Sequence, residues 1–157
     1  MDTVALTRLC KKNKITAPKF GGVYASNELK LDSNIRDKFV ILNTSKMSQL
    51  GSHWVILFIP KTRANKCELF NSLSGNIAEY SIDIENLILV NGKEYVCNDI
   101  AVQSPTSILC GLFCLYFAHK RCSNYSFTSI MNDFDHDNLF SNDELVEKYV
   151  QKHFVSY

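Results

Sequence analysis

Six cysteines and four histidines supply the nucleophiles and bases of this chain, and Cys110 stands apart among the thiols. It follows the run Ser104-Pro-Thr-Ser107 and sits near the start of an apolar stretch, Ile108 to Ala118, that reads as a helix. Unpaired backbone N–H groups at a helix start favour a thiolate over a thiol, which is the form a cysteine nucleophile needs. Gly111 follows directly and removes a side chain that would crowd an incoming substrate. Cys114 and Cys122 read instead as buried core thiols. A base is needed next. His119 falls at the basic end of the same helix, His136 in an acidic loop and His153 near the C-terminus. His53 differs, because it opens the apolar segment Trp54 to Ile59 directly after Gly51-Ser52. A strand end exposes a side chain while its backbone is held rigidly. Gln103 lies seven positions before Cys110, where its amide and the Cys110 backbone N–H can form an oxyanion hole. Thiol, imidazole and amide together make the set that acyl transfer requires.

The elements that must hold these groups are readable in outline. Asp2 or Thr3 can cap an opening helix in which Val4, Leu6, Leu9 and Cys10 form an apolar stripe. Pro18 and the Gly21-Gly22 pair end that region, the glycines reading as a turn. Phe39 to Leu42 reads as a first strand. His53 to Ile59 reads as a second, apolar on both faces and therefore central, with Pro60 closing it. Lys66 to Phe70 is the antiparallel return across the polar turn Lys61 to Asn65. Ile82, Ile84, Leu87, Ile88 and Leu89 fit a helix or a strand equally. Asn91-Gly92 signals a turn, with a strand over Tyr95 to Val102 after it.

The helix carrying Cys110 has capping residues before it and His119-Lys-Arg121 after it, as the helix dipole prefers. It is apolar nearly all round, so it should be the buried central helix. Two more helices follow. The last has a capping box from Ser141 to Glu144, with Leu145, Val146, Tyr149 and Val150 on one face. The expected fold is a single α+β domain over residues 1–157. A mixed, mostly antiparallel sheet packs on the central helix, with N- and C-terminal helices at its flanks.

Composition narrows the function classes. At 157 residues, 46% hydrophobic and 21% charged, the chain matches one soluble domain with an adequate core. The net charge of +1 gives no support for nucleic-acid binding by bulk electrostatics, and Lys11, Lys12, Lys14 and Lys19 read as a solvated helix end. No apolar run reaches the length of a membrane span, and no charged-then-apolar leader opens the chain. Six cysteines without a leader point to free thiols in a reducing compartment. Cys110 and Cys114 form the only close pair, with no second pair at zinc-site spacing, so no metal or cofactor is expected.

The chain resembles the adenovirus-type cysteine proteases, the adenain family, and is closest in character to their virophage and Maverick/Polinton branch. The carrying segments are Asn43-Thr44 with Gly51-Ser52-His53-Trp54-Val55, then Cys67-Glu-Leu-Phe-Asn71, then Val102-Gln-Ser-Pro-Thr-Ser-Ile-Leu-Cys-Gly-Leu-Phe-Cys114. The C-terminal stretch, with Asn132-Asp-Phe-Asp135 and Ser141-Asn142-Asp143, carries the virophage-like character. The resemblance implies that Cys110 attacks the scissile carbonyl, His53 moves the proton and Gln103 completes the oxyanion hole. It places Asn71 third in the triad, where the adenoviral pattern has an acid. An amide oxygen can fix the imidazole tautomer but stabilises the imidazolium less than a carboxylate. Glu68 or another acid remains the alternative, and strand alternation turns Glu68 away from Asn71.

The same resemblance implies a monomeric endopeptidase that matures capsid or virion precursors after small or Gly-Gly-type sites. It would act inside the host cell, in cytoplasm, viral factory or nucleus, and travel packaged in the virion. Gly21-Gly22 would then be a potential self-cleavage site, and the reading as a structural turn is preferred to it. Adenoviral relatives use a disulfide-linked peptide and DNA as activators, which makes Cys10 and Cys97 the thiols to examine. Two other readings stand beside this one: a SUMO- or NEDD8-type deconjugating protease, and a catalytically silent fold used for binding.

Overall fold

The computed structural model of the chain describes residues 1–30, 35–46, 48, 53–62, 64–90 and 94–155. Gly51-Ser52 and the Asn91-Gly92 turn lie outside the described residues. Helix α1, Thr3–Lys12, starts where Asp2 accepts a hydrogen bond from the Ala5 N–H at 2.8 Å. Leu6 and Cys10 are buried, but Val4 is 76% exposed, so the apolar stripe is narrower than expected. A 3-10 turn, Ala17–Lys19, leads into strand β1, Phe20–Tyr24. The Gly21-Gly22 pair is therefore inside a strand and does not form the expected turn. The reason is space. A Cβ on Gly21 would lie 2.9 Å from Val40 and 3.0 Å from the Phe39 carbonyl, and Gly22 has φ +124°. The pairing register shifts at this point, between Phe20 and Val23, so the glycines make an irregularity within the strand.

Strands β2, Lys38–Asn43, β3, Trp54–Ile59, β4, Cys67–Phe70, and β5, Tyr95–Cys97, complete a five-stranded sheet in chain order. The inner pairs β2–β3 and β3–β4 are antiparallel, and the outer pairs are parallel. β5 is shorter than the Tyr95–Val102 span expected of it, because the chain leaves the sheet at Asn98 to make side-chain hydrogen bonds. β3 is central, as its two apolar faces require. Ile56 and Phe58 pack on one face with Phe70, and Val55, Leu57 and Ile59 on the other with Leu69. The second face is covered by two short helices, α2, Ile77–Tyr80, and α3, Ile82–Val90, which settles the ambiguous segment as helix.

The first face carries α4, Cys110–Cys122, which is buried from Phe113 to His119. No side chain caps α4, contrary to expectation. Leu109 occupies the cap, and Ser107 Oγ accepts the Leu109 N–H at 3.2 Å one step earlier. Helices α5, Phe127–Met131, and α6, Leu139–Val150, close the fold, followed by a π-helical turn, Gln151–Val155. α6 begins before the expected Ser141 cap, because Asn138 accepts the Ser141 N–H and takes the capping role. The result is an α+β domain with one helix layer on each face of a mixed sheet. Among the described residues no helix is long and apolar enough to cross a membrane.

Candidate active site

His53 directly precedes β3 and is anchored there by its own carbonyl, which accepts the Thr44 N–H at 2.9 Å. Its Nε2 lies 2.7 Å from Asn71 Oδ1, just beyond the end of β4. The direction of this bond follows from the neighbours. Asn71 Nδ2 donates to the Ser74 carbonyl, a group that only accepts, so Oδ1 must face His53. The Leu73 N–H also donates to that oxygen at 3.1 Å. An amide oxygen only accepts, so His53 carries its proton on Nε2 and leaves Nδ1 bare in the neutral ring. Tyr80 packs over the imidazole, with ring centroids 5.6 Å apart. Gly75, at φ +89°, makes room for it, since a Cβ there would lie 3.1 Å from the Tyr80 ring.

Asn71 is itself held on both backbone atoms. Its N–H donates to Asn98 Oδ1 at 2.9 Å, and its carbonyl accepts from Asn98 Nδ2 at 2.6 Å. Glu68, the alternative orienting group, is elsewhere. It takes two hydrogen bonds from Arg121 at the far end of α4, at 2.7 and 3.2 Å. With an amide as its partner, His53 has no adjacent carboxylate among the described residues to stabilise a proton. Burial lowers its pKa below the ordinary 6.5, and the Asn71 hydrogen bond offsets only part of that effect.

Gln103 is buried in the segment between β5 and α4. Its Nε2 donates to the Ser107 carbonyl at 2.7 Å, and its Oε1 accepts from Ser72 Oγ at 2.6 Å. Helix α6 clamps the chain on either side of it. Asn142 Nδ2 donates to the Val102 carbonyl at 2.9 Å, and Ser104 Oγ donates to Asp143 Oδ2 at 2.5 Å. Cys110 is the first residue of α4 and is half-buried. Its N–H stands among the helix-initial donors that have no acceptor within the helix.

Met1 lies between the segment that carries His53 and the segment that carries Cys110. Its carbonyl accepts from Trp54 Nε1 at 3.0 Å, and its Cβ lies 3.3 Å from where a Gly111 Cβ would be. Trp54, which follows His53, and Gly111, which follows Cys110, thus both lie beside Met1. His119, His136 and His153 are not part of this arrangement. His119 is buried and its pKa is lowered to about 4, so it is not the dipole-compensating cation expected at the α4 end. Sequence reading missed Ser72, Tyr80, Asn98, Asn142 and Asp143, each a polar or aromatic partner brought in from a distant segment.

Burial pushes the Cys10 thiol up to about 12, Cys97 and Cys122 up to about 11, and Cys114 well above its ordinary range. Cys10 is also fully buried against the sheet, which rules it out as an accessible disulfide partner in this fold. Cys97 is half-buried on the edge strand β5. Among the described residues no group of three or more His, Cys, Asp or Glu is arranged to hold a metal ion.

With this geometry in view, the chain can be set beside two of the solved structures it resembles. It is similar to the ASFV pS273R protease, with a TM-score of 0.45 and 21% identity, over 74% of this chain and 43% of that one. The chain thus spans less than half the length of that protease. It is also similar to the SUMO protease Ulp1, solved with its catalytic cysteine oxidized to a sulfenic acid. There the TM-score is 0.49 at 13% identity, over 93% of this chain and 74% of that one. No family model matches the sequence, and no curated protein matches it.

Proposed function

We propose that the chain is a cysteine endopeptidase that cleaves virion precursor proteins after small or Gly-Gly-type sites. The observation that carries the reading is the His53–Asn71 hydrogen bond, whose direction leaves Nδ1 bare as a base. In this mechanism Cys110 loses its proton to His53 Nδ1 and its sulfur bonds to the scissile carbonyl carbon. The carbonyl π pair moves to oxygen, where Gln103 Nε2–H and the Cys110 N–H hold the charge. Collapse of that adduct expels the amine, which takes the proton from His53 and leaves an acyl-thioester. Water then attacks the thioester with His53 as base, releasing the acid and restoring the thiol. Asn71 keeps the ring in one tautomer throughout. This reading places the protease inside an infected cell and in the particle it matures.

The test is incubation with two substrates, a capsid precursor and a ubiquitin-like fusion ending in Gly-Gly, followed by mapping of any new N-terminus. A new terminus after a small-residue site in the precursor, absent with Cys110→Ala, is expected. Cleavage confined to the ubiquitin-like fusion would replace the substrate class. No cleavage of either, with Cys110 inert to alkylators, would leave a silent binding fold.

A further inference from the structure

We propose that Ser72 is a positioning residue of the oxyanion site, holding the Gln103 amide in the one rotation that presents an N–H to the reacting carbonyl. The inference rests on the protease reading above and adds to it how the hole is kept formed before substrate arrives. Gln103 is 2% exposed, so its amide must find partners within the protein. The Ser107 carbonyl only accepts, and it takes one Nε2 hydrogen at 2.7 Å. Among the described residues no acceptor takes the second Nε2 hydrogen, which remains for substrate. Rotating the amide by half a turn would set Oε1 against the Ser107 carbonyl, two acceptors with no proton between them. The Ser72 hydroxyl fills the other side, donating to Oε1 at 2.6 Å.

Ser72 fixes the backbone of the same residue. Its carbonyl accepts the Val102 N–H at 2.9 Å and the Gln103 N–H at 3.0 Å. Its neighbour Asn71 holds the base, so a single peptide unit carries both the imidazole's orienter and the oxyanion amide's orienter. The hydroxyl can be removed while the carbonyl contacts remain, which makes its contribution separable.

The experiment compares wild type, Ser72→Ala, Gln103→Ala and the double variant on a Gly-Gly peptide and on its peptide aldehyde. With the aldehyde, sulfur bonds to the carbonyl carbon and the π pair moves to oxygen with no leaving group, so affinity reads the hole alone. Iodoacetamide labelling of Cys110 reads the thiolate without the hole. Ser72→Ala is expected to lower kcat and aldehyde affinity about tenfold, with KM and labelling rate unchanged. In the Gln103→Ala background the same change is expected to cost nothing further. An equal loss in both backgrounds, a loss in KM alone, or no loss would overturn the role of Ser72. Should Ser72→Ala fail to fold, Ser72→Thr and Ser72→Val form an isosteric pair differing in the hydroxyl. The proposal then requires the Thr variant to be about tenfold faster, and equal rates overturn it. A wild-type Cys110 that labels no faster than Cys122 would instead remove the protease reading, and this proposal with it.

Discussion

His53 and His119 are 6% and 7% exposed, and burial lowers the pKa of both. His53 precedes the central strand with an amide oxygen on one nitrogen and Tyr80 over its ring. His119 lies at the far end of α4, its Nδ1 2.8 Å from the Tyr149 hydroxyl and its ring 4.8 Å from that of His153. Any proton His119 accepted would be opposed by a proton on His153 and by the charge of Lys120. Lys120 is itself engaged by Asp133 at 3.1 Å and by the rings of Tyr116, Tyr125 and Tyr149. Burial alone therefore does not mark a catalytic base. A partner that can only accept, and so fixes the tautomer, separates the two histidines.

The largest expected effect tests that separation directly. His53→Ala should lower kcat/KM by about a thousandfold or more, while His119→Ala should leave it within about threefold, measured on one peptide substrate. Equal losses would erase the comparison. Gln103→Ala comes next, with a loss of about a hundredfold to a thousandfold in kcat and little change in KM. Asn71→Ala should cost about tenfold to a hundredfold, the range for a buried hydrogen bond to a group that becomes charged.

A smaller change sharpens the electrostatic part. Because the pKa of His53 is lowered, the acid limb of kcat/KM should fall below pH 6.5. Asn71→Asp places a negative charge beside the imidazolium, raises that pKa and moves the acid limb to higher pH. The smallest effect is on stability. His119 titrates at 6.5 when unfolded and at about 4 when folded, so the unfolded chain binds the proton first as pH falls. The stability His119 contributes is complete above pH 6.5 and is lost between there and about pH 4. His119→Gln should flatten the melting temperature over that window.

Much of the frame was legible because it depends on local patterns. The doubly apolar run Trp54–Ile59 made a central strand, and Asp2 capped the first helix. The start of α4 at Cys110 followed from the switch from polar to apolar residues after Ser107. Other features depend on long-range neighbours. The Gly21-Gly22 pair resembles any turn until β2 is placed beside it, where Val40 leaves no room for a side chain. Ser141 has the spacing of a cap, but Asn138, three residues earlier, accepts the Ser141 N–H and starts the helix first. Asn71 was readable as a triad position only through family resemblance. Ser72 gave no signal of its own and Asn98 fell inside the expected strand Tyr95 to Val102, since their partners lie 31 and 27 positions away.

The most direct measurement is the iodoacetamide labelling rate of each cysteine near pH 7, resolved by mass spectrometry. Cys97 and Cys122, half-buried as Cys110 is, serve as controls, and burial pushes their own thiols up to about 11. Cys110 should label first, and His53→Ala should remove most of that advantage. Labelling of Cys110 no faster than Cys97 and Cys122, or unchanged by His53→Ala, would contradict the assignment of Cys110 as nucleophile and His53 as its base.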